Sequence, residues 1–303
     1  MSAGFGVRVR GRGRGFPWAK PTWPDSVPLP PVERKTGIDF ETEWARRYPA
    51  RLARAIWQDN ISRPVIHLVA NPSVLGLDRI ASVDGPVIFA ANHASHLDTP
   101  LLLTCLPERF RHRTVVAAGA DYFFDKVWKG RLWALLINAI PIERTRVNRR
   151  SAEHAASLVA EGWNLIIFPE GGRSPDGWGQ HHHPASAGYL SVRCQVPVVP
   201  VYLQGTRNIL RKGGGRLRPA STRVTFGAPV RPADGEDARE LAARLERDLA
   251  ILADEATSGW WVARRRAAAG QTPDLTGPRG GAWRRSWALP PRRGPKPRET
   301  GWP

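Results

Sequence analysis

The chain has little cysteine: two in 303 residues, Cys105 and Cys194, both in apolar segments. A disulfide framework is therefore excluded, and reduced, buried thiols in an intracellular chain are expected. Long apolar runs are also missing. The charge-free stretch Pro64–Leu77 is interrupted by Asn71, Pro72 and Ser73, so a membrane-spanning helix is not expected. Near the N-terminus Arg8, Arg10, Arg12 and Arg14 alternate with glycine or valine, without the apolar core of a signal peptide. No internal repeat is evident, and no Gly-x-Ser-x-Gly elbow supplies a serine nucleophile. The 42% apolar content nevertheless suffices for a packed core, which excludes disordered and collagen-like chains.

What is abundant is positive charge, +18 in total, and it is unevenly placed. Residues 1–35 hold seven Lys/Arg against two acids, and residues 260–303 hold ten against two. Both ends are rich in Pro, Gly and Trp, with Trp18 and Trp23 in one and Trp260, Trp261, Trp283, Trp287 and Trp302 in the other. The chain thus reads as three segments: a basic arm over 1–37, a domain over 38–258 that opens with an amphipathic helix, and a basic tail over 259–303. Such ends cannot bury a core by themselves. They suit an anionic membrane surface, where Trp favours the interface and each Lys/Arg adds roughly 1 kcal/mol. RNA phosphates and plain solvent are the two other readings of the ends taken alone.

Between the ends, strand-like and helix-like patterns alternate. Trp44, Tyr48, Leu52 and Ile56 recur every fourth position with arginines around them, predicting an amphipathic helix that starts afresh at Pro49. With the basic ends, this stretch Trp44–Trp57 is expected to help hold the protein at a membrane. Pro86–Ala91, Thr114–Ala118, Ile140–Ile142, Asn164–Phe168, Val196–Leu203 and Arg223–Phe226 read as strands. Helices are expected from a capping Asp98 to Leu106, and over Tyr122–Asn138, Ala152–Glu161, Pro184–Arg193 and Asp237–Glu255. The last carries Leu241, Leu245, Leu249 and Leu252 on one stripe. This alternation predicts an α/β fold, a mostly parallel central sheet covered by helices in a single domain.

The segment that carries chemistry is Asn92-His93-Ala94-Ser95-His96-Leu97-Asp98, at the hand-over from strand to helix where α/β sheets bind ligands. The turn can bring the Asp98 carboxylate back to the His93 imidazole, fix its tautomer and leave the other nitrogen as a base. With no serine elbow, the attacking hydroxyl would belong to the substrate. Further along, Phe168-Pro169-Glu170-Gly171-Gly172-Arg173-Ser174 follows another strand and sets glycines, which let backbone N–H groups approach an anion, beside a cation. Arg144 closes Ile140–Arg144 and offers a second cation on the same sheet edge. His96 reads as a packing residue rather than a second base. The run His181-His182-His183 has no cysteine or carboxylate at ligand spacing, so no metal site is expected.

With these blocks in order, and Val196-Pro197-Val198-Val199-Pro200-Val201 as a fourth, the chain resembles the glycerolipid acyltransferases, the 1-acylglycerol-3-phosphate acyltransferases and their relatives. The resemblance implies a glycerolipid-acyltransferase-like domain in which His93 is the general base and Asp98 orients it. It further implies that Arg144, Glu170, Gly171 and Arg173 hold the acceptor's phosphate, and that Val198 and Pro200 help to build the acyl pocket. Gly172 departs from the family, where threonine is usual, and His183-Pro184-Ala185-Ser186 stands in place of an aromatic-basic-x-Gly segment. The implied activity is transfer of a fatty acyl group from acyl-CoA or acyl-carrier protein to 1-acylglycerol 3-phosphate, in phospholipid biosynthesis and without a cofactor. Another lysophospholipid or a glycolipid is the alternative acceptor. A non-catalytic basic protein that binds membrane or RNA is the alternative of another class, although nucleic acid is not the expected partner. The implied location is cytoplasmic and peripheral, on the inner face of the cell membrane.

Overall fold

The computed structural model describes residues 37–143, 149–174, 179, 181–183, 186–210 and 216–276. The basic arm, Arg144 and the tail beyond residue 276 lie outside them. By contacts the chain divides into residues 1–35 and 36–303, and the sheet and its helices belong to the second unit.

Seven strands form one sheet: β1 (Pro72–Leu75), β2 (Ile88–Ala91), β3 (Thr114–Gly119), β4 (Ala139–Ile142), β5 (Asn164–Ile167), β6 (Val198–Gln204) and β7 (Thr222–Phe226). Their order is β1-β7-β6-β2-β5-β3-β4. The five strands from β6 to β4 run parallel, while β7 pairs antiparallel with β6 and parallel with β1. The mostly parallel sheet is thus present, with two reversed strands at one edge. Strand β1 was not legible as a strand. It is a short edge strand that starts on Pro72, a place where a missing N–H costs nothing.

The helices are α1 (Tyr48–Trp57), α2 (Arg63–Ala70), α3 (Asp98–Cys105), α4 (Glu108–Arg111), α5 (Ala120–Phe123), α6 (Val127–Ile137), α7 (Arg149–Ala160), α8 (Ala187–Cys194), α9 (Thr206–Ile209), α10 (Ala238–Ser258) and α11 (Trp260–Ala268). The expected Tyr122–Asn138 helix is broken at Phe124–Lys126 and ends at Asn138, which takes the left-handed conformation at φ 54°. Alternate residues of the central strands feed two cores. Phe89, Val116, Ile166 and Val199 face α2 and α3, whereas Ile88, Val115, Leu165 and Val198 face α7, α8 and α10. Helix α10 behaves as its sequence predicts. Asp237 and Glu240 form a reciprocal capping box, and Leu241, Leu245, Leu249 and Leu252 are buried. The segment past residue 258 is not all tail: α11 packs on α10 with Ala263 fully buried.

Helix α1 is amphipathic as its sequence predicts, and its apolar stripe faces outward. It starts at Tyr48, with Pro49 in its first turn, and Tyr48, Leu52 and Ile56 are exposed at 73%, 48% and 55%. The buried residues are polar: Arg54 and Gln58. Arg54 donates to the carbonyls of Ala45, Ala134 and Leu135, and Gln58 Nε2 to that of Leu136. Those last carbonyls of α6 have no partners within their own helix, so a fixed cation at that C-terminus is stabilising. Burial, and then Arg51 and Arg46, lower the Arg54 pKa to about 10, which leaves it charged at neutral pH. Helix α1 continues through a π-turn, Gln58–Ser62, into α2. The wider turn keeps Ile56 and Ile61, five positions apart, on one side. The exposed ridge therefore runs on through Ile61, Val65 and Leu68.

Candidate active site

Strands β2, β3, β4 and β5 all deliver their carboxyl ends to one sheet edge, and the site is built there. After β2 the chain leaves the sheet at Asn92, whose side chain substitutes for a ladder pair. Its Nδ2 donates to the Leu203 carbonyl at 2.9 Å, and its Oδ1 accepts from the Leu203 N–H at 2.7 Å. Nothing local in the sequence points to that clamp, because its partner is 111 positions away. The buried Ser95 hydroxyl donates to the Leu210 carbonyl at 2.8 Å and pins the far side of the turn.

Asp98 opens α3 but does not cap it; the expected cap is replaced by a contact that faces backwards. Its Oδ2 accepts from the N–H groups of Ala94 and Ser95 at 2.7 and 2.8 Å, and lies 2.9 Å from His93 Nδ1. Asp98 is fully buried, while the His93 side chain is 17% exposed. A carboxylate acceptor assigns the ring proton to Nδ1, which leaves Nε2 as the basic nitrogen. The imidazole stacks on Phe168 with centroids 4.1 Å apart and planes inclined at 22°.

His93 stands beside a cavity of about 450 Å³. Its walls are chiefly apolar, with Trp57 from α1, Leu97 and Pro100 at α3, Val116 from β3, and Trp133 and Ile137 from α6. His96 also lines it, stacked on Tyr122, with its Nε2 3.3 Å from the Tyr122 hydroxyl. Burial first, then the charges of Arg173 and His93, lower the His96 pKa to about 4. At neutral pH it is uncharged and a poor base, in keeping with a packing role.

The loop Phe168–Ser174 closes the site from β5. Gly171 takes φ 69°, a left-handed conformation that glycine adopts without strain, and both Gly171 and Gly172 line the cavity. A Cβ at Gly172 would meet only open space, so the absent threonine is not a packing requirement. The Arg173 guanidinium lies 6.0 Å from the Tyr122 ring centroid. Glu170 points elsewhere, its Oε1 accepting from the His93 N–H at 3.0 Å, and it is not among the cavity walls. Arg144 lies outside the described residues.

The expected acyl-pocket residues are not at the cavity. Val198 is fully buried in the core against α7, α8 and α10, and Pro200 is paired with Ala90 in the β2–β6 ladder. Sequence adjacency to the site blocks did not reveal that this strand's even-numbered positions face the opposite side of the sheet. The histidine run is tied down by Glu246 of α10, with His181 Nδ1 2.6 Å from one oxygen and the His182 N–H 3.2 Å from the other. Among the described residues no group of three or more His, Cys, Asp or Glu could hold a metal ion.

A family model described as Acyltransferase matches residues 71–204, which hold the dyad and both loops. The likeness to the acyltransferase family is thus carried by this segment, somewhat less than half of the chain. A 1-acyl-sn-glycerol-3-phosphate acyltransferase of Cocos nucifera is 32% identical over 155 residues, covering 50% of this chain and 47% of its own. A chloroplastic 1-acyl-sn-glycerol-3-phosphate acyltransferase of Brassica napus, BAT2, is 28% identical over 163 residues, with 52% and 44% covered. The chain spans about half the length of these curated relatives. Among solved structures, the 1-acyl-sn-glycerophosphate (LPA) acyltransferase PlsC of Thermotoga maritima superposes with a TM-score of 0.54 at 25% identity, covering 72% of this chain and 84% of its own.

Proposed function

We propose that this acyltransferase moves a fatty acyl group from a thioester, acyl-CoA or acyl-carrier protein, to the free hydroxyl of 1-acylglycerol 3-phosphate. The observation that carries this reading is the His93–Asp98 dyad, set between an apolar cavity and a glycine-arginine loop. The acceptor hydroxyl gives its proton to His93 Nε2 as its oxygen attacks the thioester carbonyl. Asp98 holds Nδ1–H and stabilises the imidazolium. The tetrahedral adduct then expels the thiolate, which takes the proton from His93, so no acyl-enzyme is formed. Positioned proton transfer of this kind contributes ~10²–10⁴-fold. Arg173, with Arg144, supplies the positive charge for the acceptor's phosphate. The acyl chain occupies the cavity between α1, α3 and α6 rather than the side of the sheet that holds Val198.

An acceptor that is itself a lipid requires the site to reach a bilayer. Among the described residues no helix is long and apolar enough to cross a membrane. The outward ridge Tyr48, Leu52, Ile56, Ile61, Val65 and Leu68 belongs to the same α1–α2 rod whose Trp57 and Ser62 line the cavity. In this reading the ridge lies in the headgroup region and the basic ends add attraction to anionic lipid, a reversible, peripheral attachment.

Incubation with acyl-CoA and 1-acylglycerol 3-phosphate, followed by free-thiol release and lipid analysis, tests the assignment. Release that depends on the phosphorylated acceptor is expected. Equal or faster release with a lysophospholipid or glycolipid that lacks the terminal phosphate would replace the acceptor, and no release with any of them would remove the activity.

A further inference from the structure

The base and the acceptor loop are more tightly joined than the transfer chemistry alone demands. Residues 92–97 lie between β2 and α3, where His93 has neither sheet nor helix to hold its backbone. The loop after β5 holds it instead. Glu170 Oε1 accepts from the His93 N–H at 3.0 Å, the Ser174 N–H donates to the His93 carbonyl at 2.8 Å, and the Phe168 ring lies against the imidazole. Backbone donor, backbone acceptor and ring face are thus all contacted by Phe168–Ser174, while Asp98 holds Nδ1. A carboxylate is also a poor ligand for a phosphate, since two anions in contact repel. Glu170 is not among the residues that line the cavity, whereas its neighbours Phe168, Gly171 and Gly172 are.

We propose that Glu170 is a positioning residue for His93, not a ligand of the acceptor's phosphate. It accepts the His93 N–H and so fixes where Nε2 meets the substrate hydroxyl. The inference rests on the acyl-transfer reading for its kinetic consequence, but not for its structural one. Because the arginine and Glu170 share one loop, anything that orders the loop around a phosphate also orders the base.

The test compares Glu170→Ala, which removes the acceptor atom, with Glu170→Gln, which keeps a carbonyl oxygen in its place and loses only the charge. Glu170→Asp, which withdraws the oxygen by one methylene, serves where the alanine variant fails to fold. With 1-acylglycerol 3-phosphate varied at saturating acyl-CoA, Glu170→Ala or →Asp is expected to lower kcat about 100-fold, the cost of misplacing a reacting group by about 1 Å, with little change in the acceptor KM. Glu170→Gln is expected to restore most of kcat. A rise in acceptor KM as large as the fall in kcat, shared by the glutamine variant, would return Glu170 to the phosphate site. A second readout needs no substrate: the rate at which diethyl pyrocarbonate modifies His93, followed by peptide mass spectrometry. It should rise several-fold in the alanine or aspartate variant and stay at the wild-type value in the glutamine variant; equal rates in all would overturn the proposal. Wild-type protein that transfers no acyl group would refute the functional reading, while the modification rates would still decide the role of Glu170.

Discussion

Helices α1 and α10 carry similar patterns, a large apolar side chain about every fourth residue with arginines between, yet they face opposite ways. In α10 the stripe Leu241, Leu245, Leu249 and Leu252 is buried and the arginines are not, while its two buried carboxylates, Asp254 and Glu255, are ion-paired with Arg266 and Arg79. In α1 the stripe Tyr48, Leu52 and Ile56 is outside, and Arg54 is 4% exposed. Periodicity tells that a helix has two faces, but not which of them meets the core. What decides is whether the neighbours need oil or hydrogen bonds. The sheet face under α10 is apolar, whereas α1 meets the carboxyl end of α6, where unpaired carbonyls select a guanidinium. An apolar face left in water on such a helix is informative, because the polar face has been used up inside.

The contrast can be broken most severely in α10. Leu245→Asp puts an unpaired charge among apolar side chains, and a loss of more than about 4 kcal/mol or outright unfolding is expected in chemical denaturation. Arg54→Ala comes next. It deletes charge-assisted hydrogen bonds to three carbonyls and leaves those of α6 buried without a donor, so a loss of about 2–3 kcal/mol is expected by the same measurement. The smallest effect on stability belongs to Leu52→Asp, which changes a side chain already in water and should shift Tm by no more than a degree or two. That same substitution should clearly reduce sedimentation with vesicles containing anionic lipid. Vesicle binding equal to wild type would leave the outward ridge without the membrane role assigned to it.

The same contrast marks how far the sequence could be read. The five parallel strands were legible because each is a short run buried on both faces, and α10 because its leucine stripe repeats along one helix face. The dyad was legible too, since His93 and Asp98 lie on one turn. Features whose partners are remote in sequence were not. Asn92 meets Leu203, and Glu170 meets the His93 backbone 77 positions away, so neither contact leaves a local signature. The layer to which Val198 belongs was illegible for a related reason: that residue lies beside the site in strand order, but its alternating side chain points away from the cavity. That Arg54 of α1 turns inward depended on what α6 offers, and no pattern within α1 records it.

The account stands most directly on His93. Purified His93→Ala should still fold cooperatively, with a Tm lowered only by the loss of the Phe168 stack and the Asp98 contact, because the ring lies at the cavity wall and not within either core. Assayed with acyl-CoA and 1-acylglycerol 3-phosphate on anionic vesicles, it should lose at least about 100-fold in thiol release, the lower end of what a positioned base contributes. A folded His93→Ala protein that keeps more than about a tenth of wild-type turnover would contradict the assignment, since the loss would then fall below that range.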